Sequence, residues 1–181
     1  MANEVVVTGI GMISPVGNNI NNSWKNLVNG NSGIDYIKSF DPEGLETQIA
    51  GEVKNFDPVE IIGKKESRRM DRFSQLAMAA SYEAMESADL KIDDSNQNKI
   101  SVMITSGIGG IITLSEQMNV MNSKGPSRIS PFLVPMMLPD MASGQVSMAI
   151  GAKGPNFAVV SARASGGDSI GVASEFIKSG R

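Results

Sequence analysis

One stretch near the end of the chain admits few folds. Gly154 and Pro155 form a turn signal, and Phe157 to Val160 follow as a short apolar run that reads as a buried strand. Small residues come at once, from Ser161 to Gly167. An apolar periodicity of helical type then begins at Ile170 and continues through Val172, Ala173, Phe176 and Ile177. A strand turned sharply into a helix through small residues presents one side chain at the corner. There the first free backbone N–H groups and the positive end of the helix dipole favour an anion. The corner residue is Arg163.

Composition narrows the chemistry. At 181 residues, 41% of them hydrophobic, the chain has the size and apolar content of one domain with a core. It has no cysteine and no histidine, which excludes disulfides, cysteine-ligated zinc and every cysteine–histidine or serine–histidine device within the chain. Sixteen basic residues against nineteen acidic give a net charge of −3, which argues against a general nucleic-acid binder. No apolar run approaches the roughly 20 residues that span a bilayer. Thr8, Gly9 and Gly11 interrupt the N-terminal run before it can form a signal peptide, so a cytoplasmic protein with no membrane partner is expected. The twelve methionines suit an irregular apolar interior.

In chain order, Glu4 to Thr8 reads as a central buried strand. Gly9 and Gly11 follow it, but the third glycine of a dinucleotide fingerprint would fall at Ser14, and no acidic residue closes the unit. No cofactor and no metal are expected. A helix over 22–29 is capped by Asn21 or Asn22 and stopped by Gly30. Residues 33–45 are turn-rich, and 47–53 reads as an edge strand. Asp57 and Pro58 begin a short helix as cap and first residue. Residues 64–72 hold the one basic cluster. If helical, it puts Lys64, Arg68 and Arg72 on one face with Lys65 and Arg69 beside them, partly neutralised by Glu66 and Asp71. Such a cluster is either a solvated face or a docking patch for an acidic partner.

The clearest helix runs from Phe73 to Ala88, with Phe73, Leu76, Ala77, Ala80, Ala84 and Ala88 on one stripe. A strand over 99–106 ends in the glycine cluster 107–110, and helices follow over 111–121 and 141–150, the latter stopped by Gly151. Between them, the proline-bounded segment 131–137 either enters the core or meets a partner. Strands alternating with helices give an α/β domain with a mainly parallel sheet.

Several of these motifs, in this order and spacing, resemble the β-ketoacyl-acyl-carrier-protein synthases, condensing enzymes with the thiolase fold. They are 5–11 with 14–17, Arg69 to Phe73, Ser106 to Gly110, Ile129 to Phe132, and the corner Ser161 to Gly166. The likeness is greatest to the type II members, which elongate long acyl chains. It implies a thiolase-like half, a mainly parallel sheet layered with helices, truncated before its last strand, with 1–181 as the N-terminal part of a synthase. In the family the corner residue is a cysteine that carries the acyl group, and Arg163 stands in its place. The resemblance further implies an acyl pocket at Gly107, Ile108, Leu133 (reaching across a dimer) and Ala162, with Ile108 as its gate. It places a docking patch for acyl carrier protein at Lys65, Arg68, Arg69 and Arg128. The substrate would arrive on the phosphopantetheine of that carrier.

The family's two decarboxylating histidines, and a phenylalanine whose N–H completes the oxyanion hole, belong to the half beyond the match. Guanidinium has only donors, stays protonated and forms no acyl linkage. Beside a helix N-terminus its charge is unfavourable by about 0.3–1 kcal/mol. Its stem is expected to bend into the pocket or toward a neighbouring carboxylate, leaving a chain that condenses nothing. Two readings stay open: a shortened, altered synthase, or a non-catalytic pseudo-synthase that binds carrier protein or an active synthase, as a chain length factor does. A homodimer, or a companion chain supplying the missing half, is expected to cover the bare apolar face, and the isolated chain to be poorly soluble.

Overall fold

A computed structural model describes residues 3–180. Helix α1 spans Ile20–Val28, strands β1 and β2 span Ile34–Tyr36 and Ile49–Gly51, and α2 and α3 span Pro58–Ile62 and Lys64–Ser67. Then come α4 (Arg72–Ser87), α5 (Ile111–Lys124), α6 (Leu133–Met137), α7 (Met141–Ile150) and α8 (Ser165–Lys178). Short 3-10 turns occupy 97–99, 126–128 and 162–164. The centre is α4 laid against α7. Met78 of α4, at 0% exposure, and Val146 of α7 join Met70, Val102 and Ala152 in the core cluster.

Helix starts follow the capping residues. Asn19 accepts from the Asn22 N–H at 2.8 Å, so α1 begins earlier than a cap at Asn21 or Asn22 would place it. Asp57 caps α2 through the Val59 N–H, with Pro58 as its first residue, as the sequence indicates. Gly151, at φ +76°, ends α7 in the left-handed conformation. The stripe expected on α4 is only half-buried, and its deepest residues are Ser74, Met78 and Ala79. The reason is that α4 is covered on two sides. One faces α7, and the other meets the N-terminal segment, where a Cβ on Gly9 or Gly11 would strike the backbone of Ala84 or Ala80. Those two glycines therefore serve close packing.

The extended segments depart furthest from expectation. The only regular pairing among the described residues is an antiparallel hairpin, Ile34 opposite Gly51 and Tyr36 opposite Ile49. It joins the expected edge strand, now three residues long, to a region read as turns. Asp35 accepts from Lys54 Nζ at 3.0 Å, and chiefly this bond lowers its pKa to about 2. Residues 4–8 form no strand, and Val7 is 82% exposed where a buried central strand was expected. Residues 100–105 and 154–159 do run side by side in parallel, through a bridge at Val102 and Asn156 and a 2.7 Å bond from Thr105 Oγ1 to the Val159 carbonyl.

Side chains from the helices replace the missing ladder. Ser143 Oγ accepts from the Ile104 N–H at 2.6 Å and lies 3.1 Å from the Phe157 carbonyl. Glu83 accepts from the Met12 and Ile20 N–H groups, both at 2.8 Å. The extended-segment donors of Ile104 and Met12 are thus satisfied by helix side chains, as is the Ile20 donor at the start of α1.

One carboxylate fixes the junction of α4 and α5. Asp71, 4% exposed, caps α4 and accepts from both the N–H and the hydroxyl of Thr113, at 2.8 and 2.7 Å. Asp71 is thus buried and neutralises none of the surface arginines. Replacing it strands these donors, so Asp71→Ala is expected to destabilise the chain on the order of 2–4 kcal/mol in urea unfolding. A loss below about 0.5 kcal/mol, the scale of surface substitutions, would contradict the hub role.

Candidate functional site

The corner is built from serines and small residues. Ser165, the first residue of α8, is buried. Its hydroxyl accepts from the Ser161 N–H at 2.9 Å and donates to the Ala162 carbonyl at 2.6 Å, closing the bend. The Ser161 hydroxyl donates to Asp168, which lies in the first turn of α8 and complements the helix dipole. Ala162 sits at φ +54°, a left-handed conformation that costs a residue bearing a Cβ about 1–2 kcal/mol. Opposite it, a Cβ on Gly107 would lie 3.0 Å from the Ala162 carbonyl, so glycine there lets the loop approach the corner.

Arg163 occupies the middle of the 3-10 turn and is exposed. Its guanidinium forms no hydrogen bond or ion pair with any described residue. The expected turn toward a carboxylate does not occur among the described residues, and Asp168 in the first turn of α8 accepts from Ser161 instead. Further along the inner face of α8, the Ser169 hydroxyl is buried without a partner among the described residues.

Gly107 and Ala162, both assigned to the pocket from the sequence, do come together. Ile108 follows in the same loop and is 70% exposed. Leu133 opens α6, which packs on α5 and α7; the C-terminal carbonyls of α6 back the glycine loop, with the Gly110 N–H donating to Met137 at 2.8 Å.

The basic cluster divides. Helix α3 ends at Ser67, so Lys64, Arg68 and Arg72 do not share a helical face. Lys64, Lys65, Arg68 and Arg69 line a hollow of about 410 Å³ with Phe132, over whose ring the Arg69 guanidinium stacks at 4.9 Å. Arg72 turns away. It donates to the Phe56 and Val53 carbonyls at 3.2 and 3.4 Å and stacks on Phe56 at 4.7 Å. Arg128 lines a different depression with Val120 and Lys124. Phe132, Ser165 and Asp168 were not singled out from the sequence as site residues. Phe132 stood in a quoted motif, but its place beside Arg69 depends on contacts remote in sequence.

A sharp extended-to-helix corner faced by a glycine loop is what the resemblance to the thiolase-fold condensing enzymes leads one to expect. The chain belongs to the β-ketoacyl synthase family, residues 2–181 matching the model of its N-terminal domain. It is 49% identical over 177 residues to a 3-oxoacyl-[acyl-carrier-protein] synthase 2 of Staphylococcus aureus strain N315, covering 98% of this chain and 43% of that one. Against the protein of the same name from Synechocystis the identity is 44%, covering 98% and 42%. The chain therefore spans less than half the length of these relatives.

Among solved structures, the ishigamide ketosynthase/chain length factor superposes with a TM-score of 0.85 at 26% identity, over 99% of this chain and 45% of that one. A β-ketoacyl synthase from Burkholderia phymatum gives 0.81 at 26%, over 97% and 43%. These are thiolase-like folds, so the α/β class read from the sequence holds even though its ladder here is sparse. No helix among the described residues is long and apolar enough to cross a membrane.

The left-handed Ala162 gives a direct check on the corner. Ala162→Gly removes the Cβ strain and adds unfolded-state entropy, for an expected net gain of about 0.5–1 kcal/mol in thermal unfolding. A loss of stability would show that φ at this residue is not what holds the bend.

Proposed function

We propose that this chain is the carrier-docking, corner-bearing half of a synthase resembling 3-oxoacyl-[acyl-carrier-protein] synthase 2, and that as its sequence stands it docks acyl carrier protein without condensing anything. The parent reaction is a decarboxylative Claisen condensation. A corner thiolate takes the acyl group from carrier protein, and the carbanion left by decarboxylating malonyl carrier protein attacks that thioester. The observation that carries the docking half is the exposed hollow of Lys64, Lys65, Arg68 and Arg69 over Phe132, four cations in a chain of net charge −3. Such a patch favours an acidic partner through long-range attraction. Lys65, Arg68 and Arg69 are the docking residues, and Arg128 extends the surface from a separate depression.

At the corner, the start of α8 would stabilise a thiolate and, later, the oxyanion of the attacked carbonyl. Arg163 supplies a cation with no lone pair to give, so no acyl-enzyme forms. Gly107, Ile108, Ala162 and Leu133 belong to the acyl pocket, Leu133 acting in a dimer. The exposed Val6, Val7, Trp24 and Val28 support a covering partner, either a second copy or a companion chain. A cytoplasmic location accords with this chemistry.

A second reading, a non-catalytic partner of an active synthase, is favoured by Arg163 itself. Because the chain has no cysteine, Arg163→Cys introduces a single thiol. If the corner keeps its catalytic shape, iodoacetamide should alkylate that thiol about tenfold faster at pH 7 than free cysteine. An ordinary rate indicates a corner that has lost that shape and supports the partner reading. An acyl adduct on the unaltered chain would overturn both.

For docking, reversing Lys65, Arg68 and Arg69 to glutamate should weaken carrier binding roughly tenfold or more at low salt, with the difference shrinking as salt rises. Unchanged titrations would end the docking assignment.

A further inference from the structure

A cleft of about 920 Å³ opens between the β1–β2 hairpin and the start of α4, and it shares no residue with the hollow under Arg69 or with the corner. Its apolar lining comes from Val53, Leu76 and Ile112, the last 48% exposed. Its cations are Lys38, Lys54 and Arg72.

The charges are unevenly matched. Asp35 holds Lys54 at 3.0 Å and Lys38 at 3.5 Å. Glu52, also on the lining, accepts from the Lys38 and Ser39 N–H groups at 2.9 and 3.1 Å. Arg72 is half-buried and has only two neutral carbonyls and the Phe56 ring. No carboxylate of a described residue pairs with it. Burial accordingly pushes its pKa down. This partly covered guanidinium has donors left over after its two carbonyl bonds, free to take an anion. Three cations against two carboxylates leave one positive charge in and around the cleft, beside an apolar floor.

We propose that this cleft binds an aliphatic carboxylate of fatty-acid type, its head paired with Arg72 and its tail laid over Val53, Leu76 and Ile112. The planar guanidinium fork matches a carboxylate. A single unmatched charge selects a monoanion, and Glu52 at the lining disfavours a more highly charged head. The site is independent of carrier docking, because Arg68 and Arg69 face the other hollow.

The test titrates the 15N-labelled full chain with decanoate below its micellar concentration. Acetate serves as the head alone and 1-decanol as the tail alone. Saturable amide shifts are expected at Val53, Leu76 and Ile112, with decanoate binding about tenfold more tightly than either control. Ile112→Asp sets a repelling carboxylate on the floor, at a helix start that tolerates it, and should weaken decanoate about tenfold without lowering the melting temperature. Arg72→Lys keeps the charge but loses the fork, and should weaken binding less than Ile112→Asp does. Equal binding of decanol, shifts confined to another surface, absence of saturation, or indifference to Ile112→Asp would each overturn the proposal. So would self-association in which a second copy fills the cleft and excludes decanoate.

Discussion

Asp71 is the point at which this architecture is fastened. A buried carboxylate without a cation is expensive unless hydrogen-bond donors replace its water. Here three N–H or O–H groups surround it, and it lies at the N-termini of two helices at once. It caps α4 in the ordinary way. For α5 it does what the local cap, Gly110, cannot do, since glycine has no side chain to offer. Gly110 is confined chiefly by α6, because a Cβ there would strike the Met136 carbonyl, with the Asp71 carboxylate at 3.0 Å on another side. The glycine loop facing the corner is therefore held from two sides, by the α6 carbonyls and by Asp71 at the start of α4.

Glu83 repeats the device further along α4. Its two oxygens take the Ile20 N–H, at the first residue of α1, and the Met12 N–H of the N-terminal segment. One helix thus supplies anionic ends for two others, where the positive dipole makes a carboxylate favourable. With Ser143 bonded into two extended segments from α7, the helical layers do much of the work that strand pairing does in a regular sheet.

This explains what could be read in the sequence. Local chemistry was legible: Asp57 and Pro58 marked α2, Gly151 ended α7, and the apolar period over 73–88 located α4 to within a residue. The corner was legible too, because small residues between an apolar run and a helical period leave few alternatives. Long-range pairing was not legible. A β-branched run such as Val5 to Val7 specifies an extended shape but not which group satisfies its backbone. Asp71 shows the same limit. Its neighbours in sequence are arginines, and it looked like their counter-charge until the fold buried it under Thr113.

The arginines between 68 and 72 show how few residues are needed to separate roles. A continuous helix over 64–72 would have merged them into one basic face. Instead α3 stops at Ser67, and the Gln75 amide reaches back to the Ser67 and Met70 carbonyls at 2.9 and 3.2 Å, holding the intervening turn. Met70 and Asp71 are drawn into the interior, so the chain reverses its exposed side within two residues. Arg69 emerges over Phe132 and Arg72 over Phe56, each guanidinium steadied by a different aromatic ring and each lining a different hollow. Charge content alone predicts one patch. The buried pair between the arginines makes two, and that division is what the proposed carrier surface and the proposed anion cleft both require.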